Sequence, residues 1–214
     1  MSIPAELDHV VIAGPHLGDL VDWFAARTGV VATPGGVHPT GTANALVAFT
    51  VDGRRGPHYL ELIGPDPAAA EAPATFGIDR LTAPVVRTYS VHPSGIDEVV
   101  ARAAAAGHDP GAVVGLSRRT PEGALLKWRL TKGHESRRDL PFLIDWGSTA
   151  HPGLGDLPTV ELVSFERVEP DPAAARAALD AFGLPAGALA DVVPGDAAAF
   201  RLTVRTAVGD EVVL

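Results

Sequence analysis

The chain has 214 residues, 46% hydrophobic and 20% charged, with a formal net charge of −9 and no cysteine. That is enough apolar material for one large or two small globular domains, and it excludes disulfides, zinc–thiolate sites and thiol nucleophiles. The acidic balance argues against broad nucleic-acid binding. No apolar run approaches the roughly 20 residues of a membrane span. The opening MSIPAELD lacks the basic and apolar regions of a secretion signal, so a cytoplasmic protein is the expectation.

Taken in order, residues 7–12 (LDHVVI) read as a strand, and Gly14-Pro15 punctuates the chain. Leu17, Leu20, Val21 and Phe24 give an amphipathic helix that ends at Gly29. The stretch ATPGGVHPTGTAN reads as a long loop, followed by strands over 45–51 and 58–63 with the turn DGRRG between them. The Ala/Pro-rich stretch 65–84 reads as a linker. The same order then recurs. A strand over 85–91 precedes Pro93, Ser94 with Asp97 resembles a capping box, and Ile96, Val99, Val100 and Ala103 form a helical stripe ending at Gly107. Strands follow over 113–116, 124–130 and 140–146, with the first two joined by the turn Pro121-Glu122-Gly123.

A third copy begins at Thr159, with a strand over 160–168 and Asp171-Pro172 as N-cap and first helical residue. Ala175, Ala178, Leu179 and Phe182 carry its stripe to Gly183; short strands lie near Val192 and over 200–205 and 211–214. A shift of 78 residues maps Pro15 onto Pro93 and Gly29 onto Gly107 without a gap. The repeat is a βαβββ unit, and such units share a core because one small curved sheet cannot bury its own face.

The LDHVV opening, the YLELI close and the duplicated βαβββ order resemble the vicinal oxygen chelate superfamily. The HPTGTAN loop and the PFLIDWG strand resemble its glyoxalase-like branch, found in many bacterial proteins. The resemblance implies an α+β fold of the glyoxalase/bleomycin-resistance/dioxygenase type: repeated βαβββ units forming a cupped or barrel-like mixed sheet with helices outside. Residues 1–155 would hold two modules, about 5–64 and 85–147. Residues 156–214 would be an appended third, weaker βαβββ-like module that packs on the sheet edge or supports a homodimer.

The resemblance also implies a divalent metal on the inner face, held from the first and last strands of each unit. Alternation puts Leu7, His9 and Val11 on one face of the first strand, and Tyr59, Glu61 and Ile63 on one face of the fourth. The gapless match puts Arg87 at the place of His9, and arginine is no metal ligand. In the closing strand Asp145 is preferred over Ile144 at the place of Glu61. The expected metal set is therefore His9, Glu61 and Asp145, suited to zinc, iron, manganese or nickel. Arg87, Asn44, Lys127, Arg129 and His151 are candidate substrate-binding residues, and Glu61 and His38 candidate catalytic ones. The bland readings are a core histidine at His9, a Glu61–Arg87 ion pair, and a solvated face at Lys127 and Arg129. His16, His92, His108 and His134 receive no role.

The leading expectation is a metal-dependent lyase, isomerase or dioxygenase acting on a small, anionic, oxygen-bearing molecule. The rival is a metal-free protein of the same fold that sequesters small molecules, and a third reading is an interaction module acting through the third unit. No phosphate loop, GxGxxG or GxSxG motif is present, which disfavours nucleotide and serine-hydrolase chemistry.

Overall fold

The computed structural model describes residues 6–120, 123–133, 140–183 and 190–214. Residues Pro121 and Glu122 of the expected turn, and His134, lie outside them. The first unit runs β1 (Leu7–Ala13), α1 (Leu17–Thr28), β2 (Thr33–Val37), β3 (Thr42–Val51) and β4 (Arg54–Pro65). The second runs β5 (Val85–Val91), α2 (Ile96–Ala105), β6 (Val113–Arg119), β7 (Leu125–Thr131) and β8 (Phe142–Asp145). The third runs β9 (Thr159–Glu169), α3 (Pro172–Asp180), β10 (Asp191–Pro194), β11 (Ala199–Arg205) and β12 (Glu211–Val213). Among the described residues no helix is long and apolar enough to cross a membrane.

Helix ends follow local chemistry. Gly29 closes α1 in the left-handed region at φ 73, where a side chain would be strained. The Asp171 side chain accepts from the Ala173 and Ala174 N–H groups and starts α3. The expected capping box of α2 does not form: its N-cap is Gly95, in the left-handed region without a side-chain cap, and Asp97 instead bonds Arg129. The long loop after α1 is shorter than expected, because TPGGV forms β2 against β3. Its glycines hid it, since they carry no side-chain periodicity.

Eight strands close into a ring in the order β3-β2-β6-β7-β8-β5-β1-β4, completed by the β4–β3 pairing. β1 and β5 run antiparallel at its centre, and each is flanked by the parallel closing strand of its own unit. The seam between units is thin at β2–β6, where Val37 pairs Arg119. The third unit joins at β9, which runs parallel to the far end of β3 through Ala48, Phe49 and Thr50.

The ring separates two cores. Inside lie Val11, Ile63, Trp128, Leu130, Phe142 and Ile144, capped by Phe76 and Ile78 of the 3-10 turn Thr75–Arg80. Outside, Val10, Ile12, Leu60, Leu62, Val47 and Phe49 face α1 and the third unit. Tyr89 of β5 meets Phe165 at 5.2 Å and Phe200 at 5.7 Å between ring centroids, so aromatic packing seals the third unit to the second. Phe165→Ala would empty that contact and is expected to cost about 3 kcal/mol in chemical unfolding, as buried Phe→Ala changes do.

Candidate functional site

The site depends on an irregularity in β1. Leu7 pairs Val91 and His9 pairs Ser90, so Asp8 is an extra residue in a β-bulge. The bulge breaks the alternation expected for this strand. Leu7 turns to the outer core with Val10 and Ile12, while His9, Val11 and Ala13 face the ring interior. Asp8 is freed to point toward the segment after β8, where it is fully buried.

The interior holds a cavity of about 120 Å³. His9, Asn44, Glu61, His38 and Arg118 contribute its polar wall. β4 presents Tyr59, Glu61 and Ile63 inward and buries Leu60 and Leu62 outward, as alternation requires. His9 stacks on Tyr59 at 4.5 Å between ring centroids. Its Nε2 stands 3.7 Å from Glu61 Oε2, while the Asn44 amide donates to Glu61 Oε1 at 2.6 Å. Asn44 Oδ1 is buried and has no partner among the described residues. His38 sits at the head of the 38–41 turn with its Nδ1 2.9 Å from Thr42 Oγ1. Burial lowers its pKa against the opposing pull of Glu61, which keeps the ring neutral and able to accept a proton.

Behind His9, Asp8 collects four side-chain partners. His9 Nδ1 lies 2.6 Å from Oδ1. Trp146 Nε1 donates to Oδ2 at 2.9 Å, and His92 Nδ1 and His151 Nε2 each lie 3.0 Å from the same oxygen. Burial alone would raise the Asp8 pKa, but hydrogen bonds from His151, His9 and His92 outweigh it and hold the carboxyl well below the usual carboxylate range. Asp8, His92 and His151 have the composition of a metal site, with ligand atoms within 4.8 Å of one another. The tautomer of His151 favours a hydrogen-bond hub instead. The Gly153 N–H donates to His151 Nδ1 at 3.0 Å, so Nε2 carries the proton shared with Asp8 and offers no lone pair.

Several sequence expectations are corrected. Asp145 faces outward at the end of β8, 3.6 Å from Arg129, and Ile144 holds the inward place. The inner face of β8 is continuous through Phe142, Ile144 and Trp146, which leaves Asp145 on the solvent side. A second bulge, where Val11 pairs Thr88 and Ile12 pairs Val86, takes Arg87 out of the gapless match. Ser90 stands across from His9, and the Arg87 guanidinium lies against Gly77 of the 3-10 turn, off the cavity lining. Lys127 and Arg129 are on the exposed face of β7, because Trp128 and Leu130 take the inner one. His151 does not close over the pocket; it buttresses Asp8 from outside the lining. His92, given no role by the sequence, belongs to the same hub.

A family described as a glyoxalase-like domain matches residues 7–183. The chain belongs to this family. No curated protein matches it. Among solved structures, a hypothetical protein from Staphylococcus aureus superposes with a TM-score of 0.61 at 14% identity, covering 90% of this chain and 87% of that one. A methylmalonyl-CoA epimerase from Mycobacterium tuberculosis gives 0.42 at 18% identity, over 69% of this chain and 91% of that one. A variant of the Streptomyces coelicolor methylmalonyl-CoA epimerase gives 0.41 at 21% identity, over 67% and 97%.

In this glyoxalase-like chain the residues that sequence reasoning missed are Asp8, His92, Trp146 and Arg118. Arg118 was readable from alternation, since Val114, Leu116 and Arg118 share the inner face of β6. Asp8 was not, because a bulge leaves no mark in the residue pattern. The histidines near the site also set a pH dependence. Burial lowers the pKa of His38 and of His58, whose Nδ1 contacts the Leu7 carbonyl. Below the ordinary value of 6.5 the unfolded chain takes up protons that the folded one resists, so this stability is complete above 6.5 and is lost as pH falls. The urea midpoint is expected to drop between neutral and mildly acidic buffer, and His58→Gln to flatten that drop.

Proposed function

We propose that the protein is a divalent-metal-dependent enzyme that acts on a small oxygen-bearing molecule inside the ring, by lyase or isomerase chemistry. One observation carries the reading. His9 Nε2 and Glu61 Oε2 face one cavity 3.7 Å apart, while the other ring nitrogen of His9 is held by a buried carboxylate. With Nδ1–H given to Asp8, Nε2 keeps its lone pair and lies 3.7 Å from Glu61 Oε2. A carboxylate–imidazole pair of this kind is the usual support of a metal-binding histidine. The donor set, one imidazole nitrogen and one carboxylate oxygen, suits zinc, iron, manganese or nickel.

His9 and Glu61 would hold the ion, and Asn44 fixes Glu61 by donating to its second oxygen. A bound divalent cation supplies Lewis acidity toward a carbonyl or enolate oxygen. His38, neutral and lining the same cavity, is placed to take or return a proton on the substrate. Phe142, Ile144 and Trp128 give the cavity an apolar wall, with Phe142 edge-on to His9, which limits water around the reacting carbon. That same wall favours a second reading, metal-free sequestration of a small molecule, because the second unit offers Ile144 where a further ligand would stand.

Elemental analysis of protein purified without chelator or affinity tag separates the two. Stoichiometric transition metal is expected in the wild type, lost in His9→Ala and in Glu61→Ala, and retained in Asp145→Ala. Metal-free wild-type protein that still binds small molecules would favour sequestration. Asp8→Asn should keep the fold of the cavity but weaken metal affinity by about 10–100-fold, the usual effect of removing the group that orients a ligand. Competition with a chelating dye reads that constant.

A further inference from the structure

Arg118 projects from β6 into the cavity wall between apolar neighbours and is only 6% exposed. A buried structural arginine is ordinarily paired with a carboxylate, because an isolated charge is costly to desolvate. Here, among the described residues, no carboxylate oxygen lies within 4.0 Å of its guanidinium. Among the described residues its guanidinium makes one hydrogen bond, from Nη1 to the Gly35 carbonyl, which uses one of five N–H donors. Burial lowers its pKa, with Tyr59 and Glu61 opposing, so the charge is only partly compensated by its surroundings.

The backbone is shaped for this side chain. Gly36 has φ +141, and a Cβ there would stand 3.1 Å from Arg118 Nη1 and collide with the Arg119 carbonyl. The adjacent Gly35 gives the same clearance to Asn44. Two successive glycines thus let Asn44 and Arg118 rest on β2 without a side chain between them. Lys132, the other cation on the lining, is exposed at the rim.

We infer that Arg118 anchors a carboxylate of the substrate, so that the site takes a small 2-oxo or 2-hydroxy acid with an apolar remainder. The planar fork of a guanidinium matches a carboxylate with two parallel N–H···O bonds. The acid's neighbouring oxygen then lies toward His9 and Glu61, and its hydrocarbon part against Trp128, Phe142 and Ile144. A single buried cation fits a monoanionic carboxylate better than a phosphate dianion. The inference deepens the reading above and rests on it for the reacting end of the molecule only.

The test is titration of the full chain with 4-methyl-2-oxopentanoate and with its neutral amide, followed by calorimetry in chelator-treated protein so that no metal attracts the anion. The acid is expected to bind at least about tenfold more tightly than the amide, equivalent to one charge-assisted pair. Arg118→Gln should abolish that preference and Arg118→Lys should keep part of it. In the wild type, the acid but not the amide should protect Arg118 from phenylglyoxal, read by peptide mass spectrometry, which needs no folded variant. Equal affinity for acid and amide, no binding of the acid, or an undiminished preference in Arg118→Gln would overturn the assignment. His9→Ala separates the two ideas: it should lose metal and still prefer the acid. A wild-type protein without metal that prefers the acid leaves Arg118 in place and removes only the metal.

Discussion

A carboxylate with no solvent contact must be held by donors from the protein, and Asp8 draws them from three parts of the chain. His9 is its neighbour in β1, His92 follows β5, and Trp146 and His151 come from the segment after β8. The bulge that makes Asp8 an extra residue in β1 is what lets one side chain leave the strand while the next still faces the cavity. The orientation of His9 is downstream of this. The Asp8 contact selects the orientation of the His9 ring, and that ring sets where Nε2 meets Glu61. The same carboxylate ties the ends of both units together, so the floor of the cavity and the joint between the units are one structure. Buried networks of this type are stable only when every member has a partner, which explains why an indole N–H and two imidazoles converge on one oxygen.

The duplication has divided labour between its halves. The first unit contributes His9, Asn44 and Glu61, on three strands that pair directly with one another in the order β1-β4-β3. The second contributes Trp128, Leu130, Phe142 and Ile144 to the same interior. Both bulged positions lie on the central strand pair, where the two units would otherwise be related by a simple shift. The two units thus differ by one extra residue in each central strand and by the apolar inner face of the second. Arg118 is the exception, a charge from the second unit that leans back across the thin β2–β6 seam to the glycines of the first.

Much of this is legible in the sequence. The βαβββ order, the helix stripes and their terminal glycines come from periodicity and turn chemistry, which act locally. The inward placement of Glu61 follows from the unbroken alternation of Tyr59, Glu61 and Ile63. That of His9 holds with Val11 and Ala13 on its C-terminal side, while Leu7, across the bulge, leaves the shared face. What failed did so for the same local reason. Arg87 was matched to His9 by counting, and counting assumes that no strand contains an extra residue. Asp145 takes the place of Glu61 only if Leu143 faces the cavity and Ile144 and Trp146 face the helix side. β8 pairs with β5 through Ser90 and Phe142, and that register, a property of two strands together, puts Ile144 inside. Lys127 and Arg129 turn outward because the face of β7 is decided by Trp128, the larger apolar side chain.

The third unit bears on the site through β3. β3 presents Asn44 to the cavity at one end, and at the other it pairs with β9 through residues 48–50. Its outward side chains Ala45, Val47 and Phe49 are buried in the core shared with Leu162, Leu202 and Val204. An edge open at that position would leave unpaired backbone groups and an apolar face in water, a known route to slippage and aggregation. β9 removes that edge, and the register it fixes on β3 is transmitted along the strand to Asn44, because a slip by one residue would turn Asn44 to the outer face. On the second unit the Arg102 guanidinium bonds the Phe182 carbonyl at the end of α3, adding a polar tie to the Tyr89–Phe165 aromatic contact. A ring with a thin seam and one polar wall keeps its geometry because a further layer of the same βαβββ design is bonded to both of its halves.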